Sequence, residues 1–117
     1  MRKVTLEEWS GPVSPKFQWR LKLAITDRDV DYEHSKTGHK KGKLSEGDVD
    51  ALWKSLDEKK AFSLGGKLEK RKVGVGINTL VLERDEEKMT LEYTTNGLTA
   101  DQKAVIDAIK RVLSSVS

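Results

Sequence analysis

Phe17, Trp19, Leu21, Leu23 and Ile25 alternate with Gln18, Arg20, Lys22, Ala24 and Thr26, the period of two expected of a strand that buries one face. Asp27-Arg28 reads as a two-residue turn, because that placement sets Ile25 opposite Val30, Leu23 opposite Tyr32 and Leu21 opposite His34. The apolar face then runs on across the hairpin. On the outer face the same register sets Ala24 opposite Asp31 and Lys22 opposite Glu33, which predicts one cross-strand ion pair.

A helix is expected to begin after Leu44, with Ser45 as its cap, Glu46 and Asp48 in the first turn, and Leu44 and Val49 spaced as a hydrophobic staple. Val49, Leu52, Trp53 and Leu56 form its apolar stripe, and Ala61, Phe62 and Leu64 should tuck under the sheet before Gly65-Gly66. The second half repeats this grammar. Ile77 to Glu83 reads as a strand, Arg84 to Glu87 as a charged turn, and Lys88 to Thr94 as a returning strand with Met89, Leu91 and Tyr93 facing Leu82, Leu80 and Asn78. After the break at Asn96-Gly97, Thr99 and Gln102 have capping-box spacing, and Val105, Ala108, Ile109, Val112 and Val116 mark a terminal helix. With a short strand from Lys3 to Glu8, the order is βββαββα: a single α+β domain over residues 1–117, its antiparallel sheet of about five strands carrying two helices on one face. Residues 10–15 and 35–43 fall outside this pattern and read as loops, where function tends to concentrate.

Composition narrows the function classes. The chain has 117 residues, 36% hydrophobic and 35% charged, and its apolar residues lie in periodic blocks, which is the mark of a folded domain. Its 22 Lys and Arg face 19 Asp and Glu, a net +3 drawn from two well-mixed populations, and this argues against a nucleic-acid partner. The absence of cysteine excludes disulfides, thiol catalysis and cysteine-bound metal. No stretch reaches the roughly 18 to 20 apolar residues that cross a bilayer, so the expected location is cytoplasmic, away from membranes.

Four features are candidates for chemistry. His34 and His39, near Asp31 and Glu33, outline a metal site, but the hairpin register turns His34 away from both carboxylates, and Lys40 and Lys41 beside His39 repel a cation. Gly74 and Gly76 resemble part of a phosphate loop, yet a strand and not a helix follows, so they read as a bulge or close approach. The basic residues Lys40, Lys41, Lys43, Lys67, Lys70, Arg71 and Lys72 offer charge to phosphate or an acidic partner, but they lack the interleaved aromatics that stack on bases, and Glu33, Glu69, Asp29 and Asp31 dilute the field, so a solvated polar surface is the better reading and an acidic protein partner the next. No nucleophile stands at motif spacing from a histidine, and the chain is expected to be neither an enzyme nor a cofactor binder. The last feature is the loop Ser10, Gly11, Pro12, Val13, Ser14 and Pro15. Two prolines stiffen it and Val13 sits at its tip, which suits docking into a protein partner; the same prolines also suit a plain crossing between strands with Trp9 in the core.

Val4-Thr5-Leu6-Glu7-Glu8-Trp9-Ser10-Gly11-Pro12, the helix after Leu44-Ser45 with Leu52, Leu56 and Phe62, and the closing stretch Leu98 to Leu113 resemble the emfourin-type inhibitors of thermolysin-like metalloproteases. That resemblance implies a protease inhibitor acting through the loop; Ser10 and Gly11 match its Ser-Gly-Gly motif and Pro12 replaces the second glycine. Ser14-Pro15-Lys16-Phe17 through Tyr32-Glu33, leading to Lys41-Gly42-Lys43-Leu44-Ser45, is similar to a bacterial domain of unknown function with a Cys-Pro-x-Tyr motif, where Ser14 replaces the cysteine and Arg28 the turn glycine. Because the sequence offers no closed set of metal ligands, EDTA is expected to leave the melting temperature unchanged; a clear fall on chelation would expose a bound metal.

Overall fold

The computed structural model describes residues 2–10, 14–66, 77–94 and 97–115. In chain order these form β1 (Arg2–Trp9), β2 (Arg20–Thr26), β3 (Asp29–His34), β4 (Gly38–Lys43), α1 (Glu46–Glu58), β5 (Asn78–Arg84), β6 (Glu87–Tyr93) and α2 (Ala100–Arg111), with short 3-10 turns at Pro15–Phe17, Ala61–Ser63 and Val112–Ser115. The six strands lie in the order β4-β3-β2-β1-β5-β6, and every neighbouring pair is antiparallel. The class is α+β, as expected, but the count and order are corrected from about five strands in βββαββα to six in ββββαββα. The added strand is β4, cut from the basic segment that reads as a loop. Gly-His-Lys-Lys-Gly-Lys carries no apolar alternation because an edge strand exposed at nearly every position has no face to bury.

Both hairpins keep their expected register: Ile25 pairs with Val30 and Leu23 with Tyr32 in one, Leu82 with Met89 and Asn78 with Tyr93 in the other. The second turn is shorter than expected, because Arg84 and Glu87 still pair and only Asp85-Glu86 turn. Asp27 and Asp85 open the two turns at φ 53° and 54°, a left-handed conformation that Asp tolerates better than most residues with a Cβ. Lys22 does stand opposite Glu33, yet its ammonium lies 3.7 Å from Glu7 across the other flank, on β1.

The inward rows of the strands and the stripes of both helices merge into one core on one face of the sheet. Val4, Leu6, Leu23, Leu80, Leu82, Val49, Leu56 and Ile109 are all at 0% exposure within it. Ser45 Oγ accepts from the Asp48 N–H, and Thr99 and Gln102 complete a capping box, so each helix starts where the sequence places it. At the end of α1, Arg84 lies over the rings of Trp53 and Phe62, 5.8 and 5.0 Å from their centroids, while its Nη1 donates to both oxygens of Asp57 at 2.9 and 2.8 Å. After the Ala61–Ser63 turn the chain meets the outer edge of β6, where Gly66 N–H donates to Thr90 C=O (3.0 Å) and Gly66 C=O accepts from Glu92 N–H (2.8 Å). A Cβ on Gly65 would fall 2.9 Å from both Met89 Cγ and the Thr90 carbonyl oxygen, so only glycine allows this approach. No helix among the described residues is long and apolar enough to cross a membrane.

Leu56 is fully buried between α1 and the sheet. Leu56→Ala is expected to cost about 2 to 5 kcal/mol in chemical denaturation, and an unchanged midpoint would contradict this packing.

Candidate functional site

β1 and β2 part company after Trp9 and Arg20, and the loop between them is closed by a reciprocal clamp. Ser10 N–H donates to the Trp19 carbonyl and Trp19 N–H donates to Ser10 Oγ, both at 3.0 Å. One residue earlier, Trp9 N–H donates to Oδ1 of the buried Asn78 at 2.8 Å, which ties the loop's base to β5 as well. On the far side, Phe17 N–H donates to the Ser14 carbonyl at 2.8 Å and closes the 3-10 turn that Pro15 opens. A proline's fixed φ suits the first position of such a turn. Lys36, from the β3–β4 turn, reaches the Lys16 carbonyl at 3.4 Å.

Of the six loop residues expected to contact a partner, Ser10 is thus a structural hinge post, Ser14 is exposed and supports the turn, and Pro15 begins it. Gly11, Pro12 and Val13 lie outside the described residues. The residue that sequence reasoning misplaced is Phe17. Alternation puts it on the inward face, but the strand begins only at Arg20, and Phe17 is 61% exposed on the 3-10 turn with the Lys16 ammonium 5.8 Å from its ring centroid. Pro15, two residues earlier, is the signal that could have ended the strand pattern there.

Aromatic rings frame the loop on both sides. Trp9 points to the outer face of the sheet and not into the core; it is half-buried, with the Arg20 guanidinium 5.4 Å from its ring. Trp19 lies on the helix side, stacked on His34 at 5.8 Å and 13°. His34 Nδ1 accepts from the Lys36 N–H, so its ring proton resides on Nε2. Beside Trp9 and Arg20 an open hollow of about 400 Å³ runs along the outer face, lined by both signs of charge from Glu7, Lys22 and Glu33.

The histidines do not converge. His34 sits in its stack, whereas His39, expected in a loop, lies on β4 with its Nε2 hydrogen-bonded to Asp31 Oδ1. Among the described residues no three metal-ligating side chains come together. Lys40, Lys41 and Lys43 also lie on β4, and Lys43 is 3.7 Å from Asp29. Lys67, Lys70, Arg71 and Lys72, with Gly74 and Gly76, lie outside the described residues.

One charged group escaped the sequence reading. β1 turns Val4, Leu6 and then Glu8 inward, and the Glu8 side chain is only 9% exposed. Its Oε2 accepts from the Tyr93 hydroxyl at 2.7 Å, and its Oε1 pairs with the Lys110 ammonium of α2. With both oxygens engaged, the carboxylate ties β1, β6 and α2 together. The legible signal was a Glu at the next inward position of an alternating strand. Burial, together with the carboxylate beside it, raises the Tyr93 pKa above its ordinary value of 10.0. A raised pKa keeps its stabilisation below the unfolded value and loses it as pH rises further, so stability is expected to fall above about pH 10, where the unfolded chain ionises first. Tyr93→Phe should cost about 1.5 to 3 kcal/mol at neutral pH by stripping Glu8 of a donor, and should flatten that alkaline fall in pH-dependent melting curves.

Comparison with protein-family models finds no match for this chain, and a search of curated proteins finds none either.

Proposed function

We propose that this chain is a non-catalytic protein-binding module that engages its partner through the loop from Ser10 to Phe17, with Phe17 as the apolar anchor. The observation that carries this reading is the exposed Phe17 ring, 61% accessible, on a turn whose base is clamped by two Ser10–Trp19 hydrogen bonds. An aromatic ring held outward costs exposed apolar surface in the free protein and repays it only on burial in a pocket. The clamp and the prolines reduce the ordering entropy that docking requires. Trp9 and Trp19 flank the loop, half-buried on opposite faces of the sheet end, with Arg20 against the Trp9 ring and Lys16 against the Phe17 ring. Inhibition of a thermolysin-like metalloprotease is the specific form suggested by the resemblance in Val4 to Pro12.

The competing reading, a small-ligand or nucleic-acid binder on Lys40 to Lys43 with Lys67 to Lys72, draws less support. Lys43 lies beside Asp29, and β4, Gly-His-Lys-Lys-Gly-Lys, carries no Phe, Tyr or Trp on which a base could stack.

Phe17→Ser, and separately the combined replacement of Pro12, Val13 and Pro15 by Ser, tests the proposal in partner capture from the native host and in inhibition assays on metalloproteases. Stability should shift by no more than about 0.5 kcal/mol in Phe17→Ser, because no core contact is lost. Partner affinity should fall by about 2 kcal/mol or more, roughly thirtyfold, and wild-type binding should survive moderate salt. Binding that is untouched by both variants and collapses with salt would move the site to the basic residues.

A further inference from the structure

β4 is the outermost strand on its side of the sheet, and Gly38 to Lys41 are all exposed. In an antiparallel pair, a residue directs its N–H and C=O to the same side, and the side alternates along the strand. The bond from Leu44 N–H to the Arg28 carbonyl, with Leu44 next after the Lys43–Asp29 pair, fixes the phase: Gly42, Lys40 and Gly38 bond inward to β3, and His39 and Lys41 turn their backbone groups outward. Side-chain direction alternates too. His39 and Lys41 stand on the outer face and Lys40, opposite the half-buried Tyr32, on the helix side. A strand added at this edge therefore meets the outward backbone groups of His39 and Lys41 and ammonium groups on both of its faces.

We propose that this edge takes up an extended acidic segment of a partner protein as a further strand. The charges select the occupant. A strand laid on β4 lies about 4.8 Å from it and about 9.6 Å from β3. Carboxylates on the incoming strand thus face Lys40 and Lys41 at contact range, while Asp31 and Glu33 of β3 act from about one Debye length away. A second copy of this chain is the wrong occupant, since β4 against β4 sets lysines opposite lysines, and like charges directly opposite destabilise a strand pair. The lysines that keep the edge from pairing with itself are the groups that accept a strand of opposite sign. This site is separate from the loop at Phe17 and stands or falls independently of it.

The probe is a synthetic peptide of alternating Glu and Val, added to the full-length protein, with an alternating Lys and Val peptide and an oligothymidine as comparisons. Amide hydrogen exchange at His39 and Lys41 should slow by about tenfold or more at saturation, as expected when solvent-exposed N–H groups gain acceptors. Lys41→Pro and Lys41→Ala lose the same ammonium, but only Lys41→Pro also loses the outward donor, so it should bind the acidic peptide about tenfold more weakly than Lys41→Ala, the worth of one hydrogen bond. Phe17→Ser should bind the peptide as wild type does, and raising NaCl from roughly 50 to 500 mM should weaken it severalfold. Four results would overturn the proposal: no binding of the acidic peptide, binding without protection at His39 and Lys41, equal binding by Lys41→Pro and Lys41→Ala, or dimerisation of the wild type through β4. An oligothymidine that binds Lys41→Ala and Lys41→Pro alike, more weakly than wild type, and displaces the peptide would make the lysines a phosphate surface instead.

Discussion

β1 is hydrogen-bonded along both edges, to β2 from Lys3 to Trp9 and to β5 from Arg2 to Glu7, and this double pairing is the constraint on which the rest of the molecule depends. The two hairpins share no direct pairing; only β1 makes them one sheet. Its inward residues Val4 and Leu6 lie at the middle of the core, so α1 and α2 have a common floor to pack on only when β1 is in place. The β1–β2 pair closes a short loop, but the β1–β5 pair joins Arg2 to Arg84, and such long-range pairing is the slow part of forming a sheet. The loop at Ser10 inherits its stiffness from the same arrangement, because Trp9 is held by Asn78 of β5 at the point where β1 ends.

Where one face of an element is buried, the residues announce it. The β2–β3 and β5–β6 registers, the caps at Ser45 and Thr99 and the stripes of both helices follow from apolar periodicity and side-chain capping chemistry. β4 was illegible for the opposite reason. It buries almost nothing, so its pairing depends on backbone bonds to β3, to which side-chain patterns are blind. Glu8 was passed over because a charged residue in a strand is expected to point outward, and nothing local indicates that Tyr93 and Lys110 wait for it from elements more than eighty residues away.

The candidate site was legible by position and not by residue. Two prolines and a glycine mark residues 10–15 as a special connection, and the clamp at Ser10 gives that mark a physical basis. Phe17 was hidden inside an apparent alternation: a 3-10 turn followed by two connecting residues happens to keep an aromatic at every second position while the chain has not yet entered the strand. Periodicity counts residues, and it cannot register a change in the direction of the backbone. The aromatic frame around the loop arises only in three dimensions, from Trp9 and Trp19 on opposite faces of one sheet end.

The two outer edges of the sheet are unequal. Gly66 lies against β6 at Thr90 to Glu92, and the absence of a Cβ at Gly65 lets it come that close. A sheet grows into a fibre only when both of its margins can recruit another strand, so that each added subunit offers a new place for the next. Here the β6 margin is interrupted mid-strand by the chain itself, and the β4 margin carries like charges. Neither margin therefore offers a second copy of the sheet a clear run of backbone groups in neutral surroundings, and growth into a fibre, which needs both margins, is disfavoured at each.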